Sequence, residues 1–306
     1  METSIFDTSS TSLAPSMRLF LLEAHREKPV LPWLDRLGHR LAARFKRWFS
    51  RPVAQLRRRA KSVLREATPL FDVEEQTLQE HLRQAADQAR IAGPGNRKVM
   101  DATLTAAVAA VKRVTGLTPH PEQVMGALAL LACHVAEMAT GEGKTLTAAM
   151  AAVAAAWQGW PCQVVTANDY LAKRDAELFA KLFDYCNLSV AHIDGETPPD
   201  RRGAAYNHDV VYTTAKELLG DYLRDRLALG KSPSRTRVAL SELGALTESR
   251  RGEVVMRGLY QVIVDEADSV LIDEAVTPLI ISMPRPDASM EQAALDAVTL
   301  AKALEE

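Results

Sequence analysis

One short run, Thr140-Gly141-Glu142-Gly143-Lys144-Thr145, restricts what this chain can fold into more than any other. Two glycines beside a lysine and a hydroxyl let backbone N–H groups curl inward around an anion, because no Cβ obstructs them. In a loop of this kind Lys144 reaches the β- and γ-phosphates of a nucleotide, and Thr145 coordinates Mg²⁺. The flanks agree. "HVAEMA" ahead of the loop reads as a short buried strand, and "LTAAMAAVAAAW" behind it has no Gly or Pro, so it reads as a helix whose N-terminus faces the phosphate. Met138 breaks the strict G-x-x-x-x-G-K-T pattern by occupying the first Gly position. Alone, such a loop also fits an ordinary glycine-rich strand-to-helix connection.

A second motif weighs against that plainer reading. "YQVIVDEAD", Tyr260 to Asp268, is an apolar β-branched run ending in carboxylates, the pattern of a buried parallel strand that delivers acids to the carboxyl edge of a sheet. Asp265 can hold Mg²⁺ there, and Glu266 can polarise the water that attacks a γ-phosphate. By itself the run is equally a strand end with solvated acids. Both motifs in this order, each on the right kind of element, point to nucleotide hydrolysis.

The rest of the chain alternates in a way that gives these motifs a scaffold. "CQVVTA", a helix near Tyr170 to Phe183, "LSVAHI", a helix near Pro199 to Ala205, "DVVYTT" and a helix near Glu217 to Leu229 precede the strand carrying Asp265. Strands and helices at this spacing predict an α/β fold: a P-loop, RecA-like parallel sheet with helices on both faces and its ligand at the carboxyl edge. An α-helical amino-terminal region comes first, with helices from about Ser62 to Arg90 broken at Pro69, an "AGPGN" loop, and a helix over Asp101 to Val114. The interval 230–258 reads as an insertion, and no internal repeat is found.

Charge is uneven along the 306 residues. The formal net charge is -2. Between Leu31 and Glu66, however, lie Arg36, Arg40, Arg44, Lys46, Arg47, Arg51, Arg57, Arg58, Arg59, Lys61 and Arg65, opposed by Asp35 and Glu66 alone. The remainder is acidic, so no global basic field points to nucleic acid. Trp33, Leu34, Leu37, Leu41, Phe45, Trp48 and Phe49 recur at three- and four-residue steps with arginines opposite them, which predicts a basic amphipathic helix. Packing on the neighbouring domain and lying on an anionic lipid surface both suit such a helix; RNA binding suits it less, because no aromatics are interleaved to stack bases. Residues 1–15 read as a disordered polar tail and 16–60 as the basic helical extension. Cys133, Cys162 and Cys186 sit among apolar residues without metal spacing and read as reduced core thiols of a cytosolic protein. "LFLLEAH" is too short and too charged for a secretory signal, and no apolar run approaches a bilayer span.

Taken together, the phosphate loop, "VVTANDYLAKRDAE", "GDYLRD" and "VDEADSVLIDEAVTPLIIS" resemble the first nucleotide-binding domain of the SecA family, the ATPase motors of bacterial preprotein translocation. The resemblance runs from about Lys61 to Pro284 and is densest between Gln123 and Ser282. It implies ATP and Mg²⁺ as ligands. Gln123 matches a glutamine that reads adenine, Thr140, Gly141, Glu142, Gly143, Lys144 and Thr145 match the phosphate loop, and Arg174 matches a nucleotide-proximal arginine. Asp265 and Glu266 match the magnesium-binding and catalytic acids. Without the resemblance, Gln123 and Arg174 read as polar surface residues. It further implies a domain over 61–284 and the start of a preprotein-binding region over 285–306. The implied partners are a preprotein substrate, a membrane translocation channel and a second motor half or further copy of the chain. The implied location is the cytoplasm, peripherally associated with the inner membrane.

Some positions depart from the family pattern. Ala139 stands where the family has Arg, Ala215-Lys216-Glu217 where it has Asn-Asn-Glu, and Val276 where it has Arg. These departures bear on coupling to neighbouring domains rather than on phosphate binding. Two other readings stay open: a nucleic-acid helicase half-motor, suggested by the literal Asp265-Glu266-Ala267-Asp268, and a nucleotide-binding module without turnover.

Overall fold

The computed structural model describes residues 52–93, 95–229, 255–256, 259–273, 292–293 and 295–297. The tail over 1–15, the amphipathic run Trp33 to Phe49, most of the interval 230–258, Val276 and nearly all of 285–306 lie outside the described residues.

Four helices build the amino-terminal layer. The first, α1 (Pro52–Ala67), buries Ala60, Val63 and Ala67 completely. It continues unbroken across the 60/61 position, and Arg59 grips Asp101, on the helix over Arg97–Thr115, at 2.6 Å. A 3-10 turn over Thr68–Leu70 contains Pro69 and marks the break expected there. In α2 (Glu75–Ala92) Leu78, Leu82, Ala85 and Ala89 share one buried stripe, the spacing of a helix that faces a core. Asn96 caps α3 (Arg97–Thr115) by accepting the Val99 N–H, and every residue from Thr103 to Val111 is buried. Short and small side chains along that run, four of them Ala, let neighbouring helices close around it. Then α4 (Pro121–Leu131) begins with proline at its first position, where a missing N–H costs no bond.

Next comes α5 (Lys144–Ala156), buried from Thr147 to its end. The parallel sheet follows: β1 (Cys162–Thr166), β2 (Val190–His192), β3 (Val210–Thr214) and β4 (Gln261–Val264), ordered β2-β3-β1-β4. Every pairing is parallel, with Val164 opposite both Tyr212 and Ile263, and Val165 opposite Val264. Crossovers run through α6 (Asp169–Tyr185) and α7 (Pro199–Tyr206), and α8 (Ala215–Leu229) follows β3 directly. A single turn of π-helix, Ser269–Asp273, follows β4.

Two apolar clusters flank the sheet, and strand periodicity sorts residues between them. Val164, Val210, Tyr212 and Ile263 join the large cluster with α1 to α6. Val165, Val211 and Val264 turn to a smaller one with Ile193, Tyr206, Leu218, Met256 and Val270. Each fully buried Val contributes about 1.5–3 kcal/mol, so both faces of the strands are committed, as a doubly covered parallel sheet requires.

Two expectations fail. "HVAEMA" is not a buried strand: residues 134–139 have no strand partner among the described residues, and Val135 is 91% exposed. Its apolar content suits a strand, but without a neighbouring ladder the backbone stays with water. Cys133 is not a core thiol either. It is exposed in the turn that ends α4, with φ 55°, whereas Cys162 and Cys186 are buried and burial pushes the Cys162 thiol up to about 12.

Candidate active site

The phosphate loop takes its shape from its two glycines. Gly141 has φ 87° and Gly143, which caps α5, has φ 78°, a left-handed conformation that side chains with Cβ rarely adopt. Inside the loop the Glu142 N–H donates to the Ala139 carbonyl at 3.3 Å, and the Glu142 carboxylate accepts the Ala139 N–H at 3.0 Å. Lys144 and Thr145 open α5, so the free N–H groups of its first turn and the positive end of its dipole share one place with the Lys144 ammonium.

Gln123 belongs to this loop, although sequence alone left it as a surface residue. It is 8% exposed. Its Oε1 accepts the His120 N–H at 2.9 Å, and its Nε2 donates to the Glu142 carbonyl at 2.8 Å. One lone pair and one N–H remain, the complementary pair that an adenine edge needs. A Cβ on Gly143 would collide with this Nε2, so the glycine and the glutamine determine each other. Met138, at the position of the missing glycine, packs on α4: a Cβ on Gly126 would lie 3.0 Å from the Met138 sulfur and 2.8 Å from Thr147 Cγ2.

The acids arrive from the other side of a cleft. Asp265 follows β4 directly, and its N–H donates to the Val165 carbonyl at 2.8 Å. Asp265 Oδ1 accepts the Glu266 N–H at 3.0 Å. Glu266 has φ 53°, left-handed backbone in a residue with Cβ, the kind of local strain that gathers at functional positions. It is exposed, as is Lys144. A cleft of about 1190 Å³ has Lys144, Thr147, Asp265 and Glu266 among its lining residues, enough room for a nucleoside triphosphate. Lower in the cleft, Gln158 Oε1 and the Tyr260 hydroxyl are buried without a hydrogen-bond partner.

Arg174 is not brought to the lining of this cleft. It pairs with Asp175, its neighbour on α6, through Nε at 2.8 Å and a terminal nitrogen at 2.6 Å. Asp175 is 2% exposed; burial holds its carboxyl above the usual range, with Asp265 adding to the effect and Arg174 opposing it. Sequence reasoning missed Asp175. The available signal was its period: it lies on the α6 stripe of Ala172, Ala176, Phe179 and Leu182, a face that carries no other acid.

As a donor set, the N–H groups opening α5, the Lys144 ammonium, the Thr145 hydroxyl and the Asp265 carboxylate suit a triphosphate with Mg²⁺, because each hard oxygen site meets a cation or a donor. No group of three or more His, Cys, Asp or Glu that could hold a metal ion by itself occurs among the described residues.

Comparison with known proteins places the chain in a family. The family model described as the SecA DEAD-like domain matches residues 41–306. The protein translocase subunit SecA 2 of Magnetococcus marinus is 41% identical over 281 residues, 90% of this chain and 40% of its own length. The corresponding subunit of Chlorobium chlorochromatii is 44% identical over 74% of this chain and 34% of its own. A Synechococcus protein translocase subunit SecA is 40% identical over 73% of this chain and 23% of its own. The chain thus spans two fifths or less of the relatives it matches.

Proposed function

The chain belongs to the SecA family, and from that premise we propose that its cleft binds Mg·ATP and hydrolyses it to drive movement of preproteins through a membrane channel. The observation that carries this reading is that Lys144, opening α5, and the Asp265–Glu266 pair, ending β4, line one cleft. What supports the finer assignments is the donor set around it. In this reading the α5 N–H groups and Lys144 hold the β- and γ-phosphates, and Gln123 meets the adenine edge with its remaining lone pair and N–H. Thr145 and Asp265 hold Mg²⁺, which when bound neutralises charge building on the phosphate oxygens. Glu266 orients the attacking water and takes its proton. Arg174 would have to leave Asp175 to approach the nucleotide.

The proposed layout keeps 61–284 as the motor domain, 16–60 as a basic amphipathic extension that runs into it through α1, and 285–306 as the start of a preprotein-binding region. The proposed location is the cytoplasmic face of the inner membrane. Among the described residues no helix is long and apolar enough to cross a membrane. A second motor half, or a further copy of the chain, is the proposed source of arginines for the transition state, worth about three to five orders of magnitude in related phosphoryl chemistry.

Mg·ATP binding and steady-state hydrolysis, measured for the chain beside Lys144→Ala and Glu266→Gln, test the proposal. Binding that is lost in Lys144→Ala, with slow turnover, is the expected result. Turnover abolished by Glu266→Gln would mean that the chain completes its own site. Absence of ATP binding would overturn the motor reading.

A further inference from the structure

A second cluster of charges lies beside the smaller apolar cluster, and none of the chemistry above uses it. Arg202 of α7, 7% exposed, reaches Asp221 at 2.8 Å and Glu217 at 2.6 Å, both on α8. Asp221 also accepts from the Tyr206 hydroxyl at 3.0 Å and from Arg224 at 2.7 Å. Asp225, one turn further along α8 and 3% exposed, is engaged differently. Its two oxygens accept the backbone N–H groups of Val255 and Met256, each at 2.9 Å.

Those two amides lie just ahead of β4. Met256, 5% exposed, packs in the smaller cluster with Val264 and Val270. Val264 immediately precedes Asp265, and Val270 donates its N–H to the Glu266 carbonyl at 3.1 Å. The carboxylate therefore ties the stretch ahead of β4 to α8, and Met256 shares its apolar cluster with residues on both sides of the acid pair. An ionised carboxylate accepts both amides, whereas an amide or a protonated acid presents a donor to one of them.

We propose that Asp225 is a positioning residue for the acid pair: by gripping the Val255 and Met256 amides it holds β4 and the turn after it so that Asp265 and Glu266 meet the bound Mg·nucleotide. This rests on the ATPase reading above. Among the described residues, Asp221 from its own helix and Tyr206 from α7 act electrostatically on Asp225, and Asp221 is itself paired with Arg202 and Arg224. Burial, aided by Asp221, pushes the Asp225 carboxyl up to about 6, with the two backbone bonds opposing. A carboxyl raised on folding binds its proton more tightly in the folded chain, so its contribution to global stability improves as pH falls through about 6. The paired amide contacts need the ionised form and weaken over the same window. Local grip and global stability thus respond to acid in opposite directions, which separates positioning from simple support.

ATP titrations with and without Mg²⁺, on the chain, Asp225→Asn and Asp265→Asn, test this. Asp225→Asn should keep the Mg²⁺-free affinity within about twofold and a cooperative melt, yet lose about tenfold or more of the gain that Mg²⁺ brings, as Asp265→Asn does. The native chain's gain should fall between about pH 7.5 and 5.5 more steeply than that of Asp225→Asn, a difference that removes protonation of the nucleotide itself as the cause. A folded Asp225→Asn with an undiminished Mg²⁺ gain overturns the proposal. Should that variant not fold, hydrogen exchange on the native chain decides: protection at Val255 and Met256 must fall together with protection over 264–270 below about pH 6, and opening confined to 255–256 overturns it. A native chain that binds no ATP defeats the ATPase reading, while the exchange experiment still reports whether Asp225 holds the acid-bearing turn.

Discussion

Gly141 and Gly143 share left-handed backbone but not surroundings. At Gly141 a Cβ would meet nothing within 4 Å, so Gly141→Ala carries backbone strain alone, about 1–2 kcal/mol. At Gly143 the same atom collides with Gln123 Nε2, which is already fixed by the Glu142 carbonyl. Gly143→Ala is therefore expected to weaken ATP binding about tenfold more than Gly141→Ala in calorimetric titration. Equal losses would mean that Gln123 swings aside freely. Single residues also show where sequence reading stops. Lys144, Asp265 and Glu266 were legible because their neighbours in the chain explain them. Asp225 was not, because a helical aspartate reads as a solvated charge until the fold places its face against a core, whereas the place of Asp175 on the α6 apolar stripe was a signal left unused.

Among the elements, the parallel strands, their order in the chain and the helices between them were legible from periodicity, and α5 from its run of Ala. The misread element is 134–139. Val135, Ala136 and Met138 give that run a strand's apolar content, yet a strand is defined by the ladder beside it, and no local pattern encodes a partner. The difference can be measured. Val135→Asp should leave the urea midpoint close to the native value, within about 0.5 kcal/mol, since the side chain is 91% exposed. Val165→Asp, at a position 2% exposed in β1, should cost about 3 kcal/mol or more by leaving an unpaired charge between sheet and helix. A comparable loss at Val135 would show that 134–139 is buried in solution.

For the molecule as a whole, the structure adds to the charge pattern which basic groups of the described residues are exposed. The net charge of -2 conceals the basic stretch from Arg36 to Arg65. Within its described part Arg57, Arg58, Lys61 and Arg65 are exposed on α1, while Arg59 is half-buried and consumed by Asp101. Four exposed basic groups near an anionic bilayer are worth about 4 kcal/mol at about 1 kcal/mol each, roughly a thousandfold in partitioning. The attraction is screened beyond about 10 Å in 0.1 M salt, so it must weaken steeply as salt rises. Co-sedimentation should therefore recover the chain with anionic vesicles at low salt, recover less at high salt, and recover little with neutral vesicles. Replacing Arg57, Arg58, Lys61 and Arg65 by Ala should weaken that binding, with the remainder held by the arginines of the Trp33 to Phe49 run, whereas Arg59→Ala should lower thermal stability through Asp101 and leave vesicle binding nearly unchanged. Equal recovery with neutral and anionic vesicles, or none with either, would remove the lipid surface from the chain's partners and leave the basic stretch as a face that packs on protein.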